Sequence, residues 1–248
     1  MTREETISQS KALMDHATTL SRRFATHAAR ITVVGQGHAG LPLAVEFAKT
    51  GFFVTGLDTD VDRVTALATG RSHAPDVPSE ELQALLRAGR YHVTTVPAGL
   101  VDSDAVIICV PAPVQKSKES DISCVVAAAR TVATHFRPGQ LIILESASYR
   151  EAEELLLPLF QSNGVTVGKD VFLAFSPKQI DLGSPTVKDI PKVVGGVTPA
   201  CTRLAASLYR EIVPRISEIS TPKVAELAKL YENWSVTSTS PSPPSSRG

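Results

Sequence analysis

Short, wholly apolar runs alternate with longer amphipathic runs from Arg30 onward, and this alternation constrains the fold more than any other feature of the chain. The apolar runs that predict strands are ITVVG, FFVTGLD, AVIICV, QLIILES, DVFLAF and KVVGG. Predicted helices lie between them, near 40–50, 60–69, 79–88, 121–135, 150–162 and 198–213. Strands without polar alternation are buried on both faces, as parallel strands covered by helices are. The sequence therefore predicts an α/β fold with a doubly wound, mostly parallel sheet over residues 30–219.

Residues 1–29 precede this domain and predict an N-terminal helical extension. Its apolar residues recur at spacings of three and four, which is the period of an amphipathic helix. They are Leu13, Ala17, Leu20, Phe24 and Ala28. We expect this helix to dock on the main domain rather than to serve as a partner-binding arm.

Two further segments follow the domain. Residues 220–234 predict the start of another helix, because Thr221 is a good N-cap and Pro222 suits the first helical position. Residues 235–248 are rich in serine and proline and contain almost no apolar side chains. Such a tail buries too little surface to offset the entropy of ordering, so it is predicted to be disordered.

Composition excludes several classes of function. Lys+Arg and Asp+Glu are equal at 25 each, so the chain has no general attraction to nucleic acid or to an anionic membrane. No apolar run approaches the roughly 20 residues that span a bilayer. Cys109, Cys124 and Cys201 lack the spacing of a disulfide framework or a zinc site, so no metal is expected. The polar N-terminus does not read as a secretory signal, and a cytoplasmic location fits best.

The segment VVGQGHAG contains Gly35, Gly37 and Gly40 in the GxGxxG pattern, directly after a predicted strand and before a predicted helix. Gly35 is predicted to allow a tight turn, Gly37 to let the backbone approach a pyrophosphate, and Gly40 to let the helix pack closely on the strand. The helix N-terminus would offer N–H groups to the phosphates. These features predict a Rossmann-like dinucleotide site, the alternative being a glycine-rich turn in a nucleotide-free protein.

Asp58 ends the second predicted strand, 23 residues after Gly35, which matches the position of a carboxylate that hydrogen-bonds an adenosine ribose. It favours NAD over NADP, because a 2′-phosphate would meet its negative charge. Gln36, His38 and Ala39 complete the glycine turn, and His38 is expected to be a wall of the site rather than a catalyst.

Two other features have ordinary structural interpretations when the spacing alone is considered. Cys109 ends a predicted central strand, where a buried thiol is more common than a nucleophile. Lys229 and Asn233 are four residues apart and share one helix face with Glu226 nearby. A solvated face with a Glu–Lys pair is the interpretation that this spacing favours.

Several motifs together resemble the nucleotide-sugar 6-dehydrogenases, the UDP-glucose/GDP-mannose dehydrogenase family. The matching segments, in order, are VVGQGHAGLPLAVEFAKTG, GLDTDVDRV, VIICVPAPV, ILESASY, FSPKQIDLG, IPKVVGG and AELAKLYEN. PDVPSEEL and IPKVVGGVTPAC are most similar to the branch that acts on UDP-N-acetylhexosamines, such as UDP-N-acetylglucosamine. The resemblance spans residues 30–234.

The resemblance implies NAD as cofactor and a UDP-sugar as substrate. Members of the family oxidise the sugar C6 alcohol to a carboxylate through a cysteine-bound thioester. Their NAD-binding domain is followed by a long central helix that dimerises and by a UDP-binding domain. A homodimer through the helix that starts near Pro222 is therefore expected.

The resemblance also extends the expected cofactor site. It implies that Arg63 is a cation on the adenosine side of the cofactor. It adds two loops that approach the nicotinamide, represented by Val110, Pro111, Ala112 and Ser146. Ala112 departs from the family, which has a threonine there, and this substitution is expected to weaken the nicotinamide end of the site.

Of the catalytic positions implied by the resemblance, some match the family and others depart from it. Lys229 and Asn233 match the pair that stabilises the developing oxyanion and orients a water, which overrides the interpretation from spacing alone. Lys178 occupies the position of the acid/base glutamate, and Ala147 that of a water-positioning threonine. We expect both to be non-functional, and the chain to end before the family's nucleophilic cysteine.

We therefore hypothesise that the chain is the NAD-binding portion of a UDP-sugar 6-dehydrogenase, and that it is truncated and catalytically impaired. Two alternatives stay open. The first is a non-catalytic binding module that responds to NAD. The second is a one-step NAD-dependent dehydrogenase that uses Lys229 and Asn233 on a smaller substrate.

Overall fold

The apolar runs of the sequence form the centre of an eight-stranded sheet. The computed structural model describes residues 16–111, 122–145, 152–162, 164–176 and 191–219. The strands are β1 (Arg30–Val34), β2 (Phe53–Leu57), β3 (Tyr91–Thr94), β4 (Ala105–Ile108), β5 (Gln140–Leu144), β6 (Val171–Phe175), β7 (Lys192–Gly196) and β8 (Ile216–Ile219). The helices are α1 (16–25), α2 (Gly40–Thr50), α3 (Val61–Ala68), α4 (Ser79–Arg87), α5 (Ser123–His135), α6 (Ala152–Gln161) and α7 (Pro199–Arg210). None of these described helices is long and apolar enough to cross a membrane.

The strand order confirms the doubly wound fold. The order is β3-β2-β1-β4-β5-β6-β7-β8, and the first six strands run parallel. β7 pairs antiparallel with β6, and β8 runs parallel to β7. The order of the first six strands is that of dinucleotide-binding α/β folds. The order reverses between β1 and β4, so a crevice is expected beyond the carboxyl ends of these two strands.

Two hydrophobic layers enclose the sheet, one on each face. On one face Phe24 of α1 and Phe47 of α2 share a buried cluster with Tyr209 of α7. On the other face Val132 of α5 and Phe160 of α6 share a second cluster. Every residue of β4 and β5 is buried between these layers. This double coverage explains why the central strands show no polar alternation.

The two edge strands were not predicted from the sequence. β3 reads YHVT and β8 reads ISEI, and each contains polar residues among the apolar ones. Edge strands are covered only in part, and β3 accordingly alternates between buried and exposed residues. Runs of four residues with this pattern give too weak a period to be distinguished from a loop.

The N-terminal helix ends earlier than its apolar pattern predicts. Within the described residues α1 ends at residue 25, and a turn follows in which His27 has φ 53°. The His27 Nε2 atom lies 2.8 Å from Glu211 Oε2, which fixes this turn against the end of α7. Leu20 and Phe24 are buried in the core. The helix is therefore docked on the domain, as expected. The predicted helix near Pro222 lies outside the described residues.

A buried ion pair connects β5 to β7 at the edge of the sheet where the parallel strands end. Glu145 follows β5 directly, and its Oε1 atom lies 2.5 Å from Nζ of Lys192, the first residue of β7. The Tyr209 hydroxyl donates to the same carboxylate oxygen. Burial, followed by the negative charge of Glu145, raises the pKa of Tyr209, so its phenol stays protonated and able to donate. The cluster joins β5, β7 and α7.

This ion pair generates a prediction about stability. Lys192→Met leaves Glu145 buried without its cation, so we expect the free energy of unfolding to fall by about 3–5 kcal/mol. Combining Lys192→Met with Glu145→Gln removes both buried charges and should recover most of that loss. Urea unfolding of the two single variants and the double variant measures the coupling. If the double variant loses the sum of the two single-variant losses in unfolding free energy, the pair does not act as a unit.

Candidate functional site

The glycine turn lies where the strand order reverses, between the ends of β2 and β4. Gly35 follows β1 with φ 89°, and its N–H donates to the Leu57 carbonyl at 2.7 Å. A Cβ atom on Gly35 would lie 3.0 Å from the carbonyl oxygen of Cys109. Both the backbone angle and the neighbouring strand therefore require glycine at this position.

The other two glycines of the motif differ in their surroundings. A Cβ atom on Gly40 would lie 1.8 Å from the carbonyl oxygen of Gly35, because α2 begins directly against the turn. A Cβ atom on Gly37 would meet nothing within 4 Å. The fold itself thus requires Gly40, whereas the space beside Gly37 is open for a ligand to approach the backbone.

Asp58 lies at the end of β2 and faces the glycine turn. Its Oδ2 atom accepts hydrogen bonds from the Gln36 N–H at 2.6 Å and from Arg63 at 2.9 Å, and its Oδ1 atom accepts one from the Asp60 N–H at 3.0 Å. Burial opposes ionisation, but these donors outweigh it and hold the pKa of Asp58 below its ordinary value. A carboxylate has about four acceptor positions. Among the described residues, one acceptor position on Oδ1 is therefore left.

Arg63 is placed by the first turn of α3. Asp60 is the N-cap of that helix, and its side chain accepts a hydrogen bond from the Arg63 N–H. The Arg63 guanidinium contacts Asp58 at 2.9 Å and Asp60 at 3.3 Å. Two carboxylates thus hold this cation at the end of β2, where a nearby 2′-phosphate would also meet both negative charges.

A buried pair behind the turn was missed in the sequence. The Gln36 side chain is fully buried, and its amide donates to the Val33 carbonyl at 2.8 Å. Its Oε1 atom accepts from the Tyr91 hydroxyl at 2.8 Å. Burial, followed by the negative charge of Asp58, raises the pKa of Tyr91, so this hydroxyl remains a donor. Gln36 therefore holds Asp58 with its backbone N–H, while its side chain packs behind the turn and supports it. Nothing in the sequence indicated Tyr91, because β3 itself was not predicted.

The second expected loop begins at the same edge of the sheet. Val110 and Pro111 follow β4, and the Cα atom of Val110 lies 3.1 Å from the position of a Cβ on Gly35. This contact brings the start of the loop to the glycine turn. The other predicted positions fall outside the described residues, and their roles stay predictions: Ala112, Ser146, Ala147, Lys178, Lys229 and Asn233.

A cavity of about 430 Å³ lies elsewhere, alongside β1, β2 and β3. Its lining includes Phe53, Thr55 and His92 but neither the glycine turn nor Asp58. It is therefore separate from the crevice at the end of β1. Within the described part of the chain, no three or more His, Cys, Asp or Glu side chains are grouped so that they could hold a metal ion.

The arrangement around the turn fits a dinucleotide. A charged carboxylate with one acceptor position left, an open backbone at Gly37 and the N-terminus of α2 lie together at one edge. Helix N-termini attract phosphates through their unpaired N–H groups and the helix dipole. These are the elements that bind the ribose and pyrophosphate of a dinucleotide.

Comparisons with known proteins agree with this geometry. Residues 29–213 match the model of the "UDP-glucose/GDP-mannose dehydrogenase family, NAD binding domain". The chain is 34% identical over 209 residues to UDP-N-acetyl-D-glucosamine 6-dehydrogenase of Pseudomonas aeruginosa, covering 82% of this chain and 49% of the relative. It is 33% identical over 217 residues to UDP-N-acetyl-D-mannosamine dehydrogenase of Escherichia coli K12, covering 83% and 51%.

A solved structure shares the fold over the same region. The UDP-D-ManNAc dehydrogenase of Pyrococcus horikoshii is similar with a TM-score of 0.75 and 32% identity, covering 82% of this chain and 50% of that one. The chain thus spans about half the length of the relatives that it matches. It belongs to the UDP-glucose/GDP-mannose dehydrogenase family and contains that family's NAD-binding domain.

Proposed function

We propose that this chain provides the NAD site of a UDP-sugar 6-dehydrogenase that acts on a UDP-N-acetylhexosamine. The observation that carries the proposal is Asp58, a charged carboxylate with one acceptor position left, beside an open glycine turn at the point where the strand order reverses. The sugar class is supported by the names of the relatives, which are dehydrogenases of UDP-N-acetyl-D-glucosamine and UDP-N-acetyl-D-mannosamine.

Each part of the turn has a distinct role in this proposal. The Asp58 carboxylate accepts a hydrogen bond from the adenosine ribose, and the N–H groups from His38 to Gly40 face the diphosphate. Gly37 leaves room for that approach, and Val110 with Pro111 borders the nicotinamide half. Bound NAD supplies the hydride acceptor for oxidation of the sugar alcohol.

We also propose that the chain by itself is catalytically impaired. The resemblance places Lys178 where the family has its acid/base glutamate, and a protonated lysine has no acceptor for the proton of a water. Loss of a positioned acid/base typically lowers a rate by about 10²–10⁴-fold. Cys109 is near the site, but its thiol is buried and lies 3.9 Å from Glu145, which does not suit a nucleophile.

The ribose assignment predicts a preference for NADH over NADPH. Asp58→Asn removes the charge and should weaken NADH binding about 10–100-fold, the value of a hydrogen bond to a charged group. The same change releases Arg63, so NADPH binding should improve relative to NADH. Fluorescence titration measures both affinities. Asp62→Asn removes an exposed charge from the first turn of α3 and is the matched control, with no expected change. Unchanged NADH affinity in Asp58→Asn would show that the assignment is wrong.

Alanine substitutions at Gly40 and at Gly37 should have different effects on stability and binding. Gly40→Ala forces α2 away from Gly35, so the melting temperature should fall by several degrees and binding should weaken with it. Gly37→Ala adds a methyl group in open space, so the melting temperature should change by less than about 2 °C while NADH affinity falls. Thermal unfolding and titration of both variants separate the two. Gly37→Ala with wild-type affinity would place the diphosphate elsewhere.

The proposed impairment predicts that the chain binds NAD without completing the oxidation. NAD and UDP-N-acetylglucosamine together should give no increase in NADH absorbance. Lys178→Glu alone should not restore activity, because the effects of residues that act on one intermediate are strongly non-additive. Product analysis separates the alternatives. A two-electron product would favour a one-step dehydrogenase. NADH binding without turnover fits the proposal or an NAD-responsive module. Steady four-electron oxidation of the sugar would contradict the impairment.

A further inference from the structure

Two imidazole rings meet beside the glycine turn. His38 belongs to the turn, whereas His73 lies in the connection between α3 and α4. Their ring centroids are 5.8 Å apart, and the ring planes are inclined by 73°. Both residues are exposed. The fold thus brings together two titratable side chains from separate segments, both open to a ligand that binds on the turn.

Four titratable or charged groups from three neighbouring parts of the fold act on His73. They are Arg63 of α3, Asp58 at the end of β2, Asp60 at the N-cap of α3, and His38 of the glycine turn. Although His73 is exposed as a residue, partial loss of water around its ring lowers its pKa, the positive charges of Arg63 and His38 lower it further, and the two carboxylates act in the opposite direction. A proton on His73 is therefore disfavoured until more negative charge arrives.

A dinucleotide brings such charge to this location. A helix N-terminus such as that of α2 is a favourable place for a phosphate, and His38 lies in the turn that precedes it. An anion within about 4–6 Å favours the protonated form of an imidazole. We propose that His38 and His73 form an imidazole clamp that gains protons when the diphosphate of the dinucleotide binds, so that the chain binds NAD more tightly as the pH falls. This inference rests on the NAD site proposed above and adds His73 to it.

The direction of the effect follows from linkage. A group whose pKa is raised by binding contributes affinity below its pKa in the complex and loses that contribution as the pH rises through it. Because the pKa of free His73 lies below its ordinary value, the ring is mostly neutral in the free chain at neutral pH, and the gain in affinity should appear as the pH falls from about 8 toward about 6. Asp58, whose pKa is lowered, stays ionised over this range, and Arg63 stays protonated. The diphosphate also keeps its charge, so the two imidazoles account for the change.

Calorimetry of the chain with ADP-ribose tests the clamp without any need for turnover. Titrations at about pH 6 and pH 8, in buffers that differ in ionisation enthalpy, give both the affinity and the number of protons taken up. We expect ADP-ribose to bind about 3–10-fold more tightly at the lower pH, with uptake of up to about one proton. Adenosine, which has no phosphate, should show neither effect.

Variants assign the protons to the two rings. His38→Gln and His73→Gln should each reduce proton uptake, and the double variant should bind ADP-ribose with no pH dependence. His92→Gln is the matched control, because His92 is an exposed histidine on β3 that lines the separate cavity. It should keep the full pH dependence. A double variant that retains the wild-type dependence would overturn the clamp.

The remaining outcomes separate the clamp from the NAD site. Binding of ADP-ribose without proton uptake overturns the clamp alone, whereas no binding at either pH overturns the NAD site and the clamp together. A pH dependence with NADPH but not with ADP-ribose would assign the rings to the 2′-phosphate and overturn the diphosphate assignment. Imidazole NMR titration of the wild-type chain gives a second measurement. The pKa of His73 should rise when ADP-ribose is added, and an unchanged value would overturn the proposal.

Discussion

The approach of the Gly40 backbone to the Gly35 carbonyl determines where everything else in the site can lie. A Cβ atom at Gly40 would be 1.8 Å from that oxygen, so α2 starts in direct contact with the end of β1. Asp58 beyond β2 accepts a hydrogen bond from the turn on one side, and the carbonyl of Cys109 beyond β4 lies close to Gly35 on the other. The helix N-terminus is consequently fixed at the point where the strand order reverses, which is the position where a dinucleotide-binding fold needs it.

Two buried carboxylates at this edge of the sheet are stabilised by different partners. Glu145 is neutralised by Lys192 and receives the hydroxyl of Tyr209, so its interactions are internal to the fold. Asp58 is stabilised by two backbone N–H groups and one guanidinium, and a position on Oδ1 is left over. The interactions of Glu145 join strands, whereas those of Asp58 leave one acceptor position that a ligand could use. The difference between the two carboxylates is the geometric support for the proposed role of Asp58.

The sequence predicted the parts of the structure whose local pattern matches their final environment. β4 and β5 are buried on both faces and appear as continuous apolar runs, and the glycine motif has a spacing that only a strand–turn–helix unit satisfies. β3 was missed because an edge strand alternates between buried and exposed residues. Tyr91 was missed with it. His73 could not be found either, because its place beside His38 depends on how a connection folds back across the turn and not on any periodic pattern.

The reversal of direction between β6 and β7 has a consequence for how such a domain diversifies. In the parallel part of the sheet each connection must cross from one edge to the other, and a change in its length shifts a helix that covers the core. β6 ends at the same edge at which the antiparallel β7 begins. The connection between them therefore starts and ends at one edge of the sheet. A change in the length of such a connection does not have to move a helix that crosses a face of the sheet, so the antiparallel pair is where this topology can vary in length with the least effect on the core.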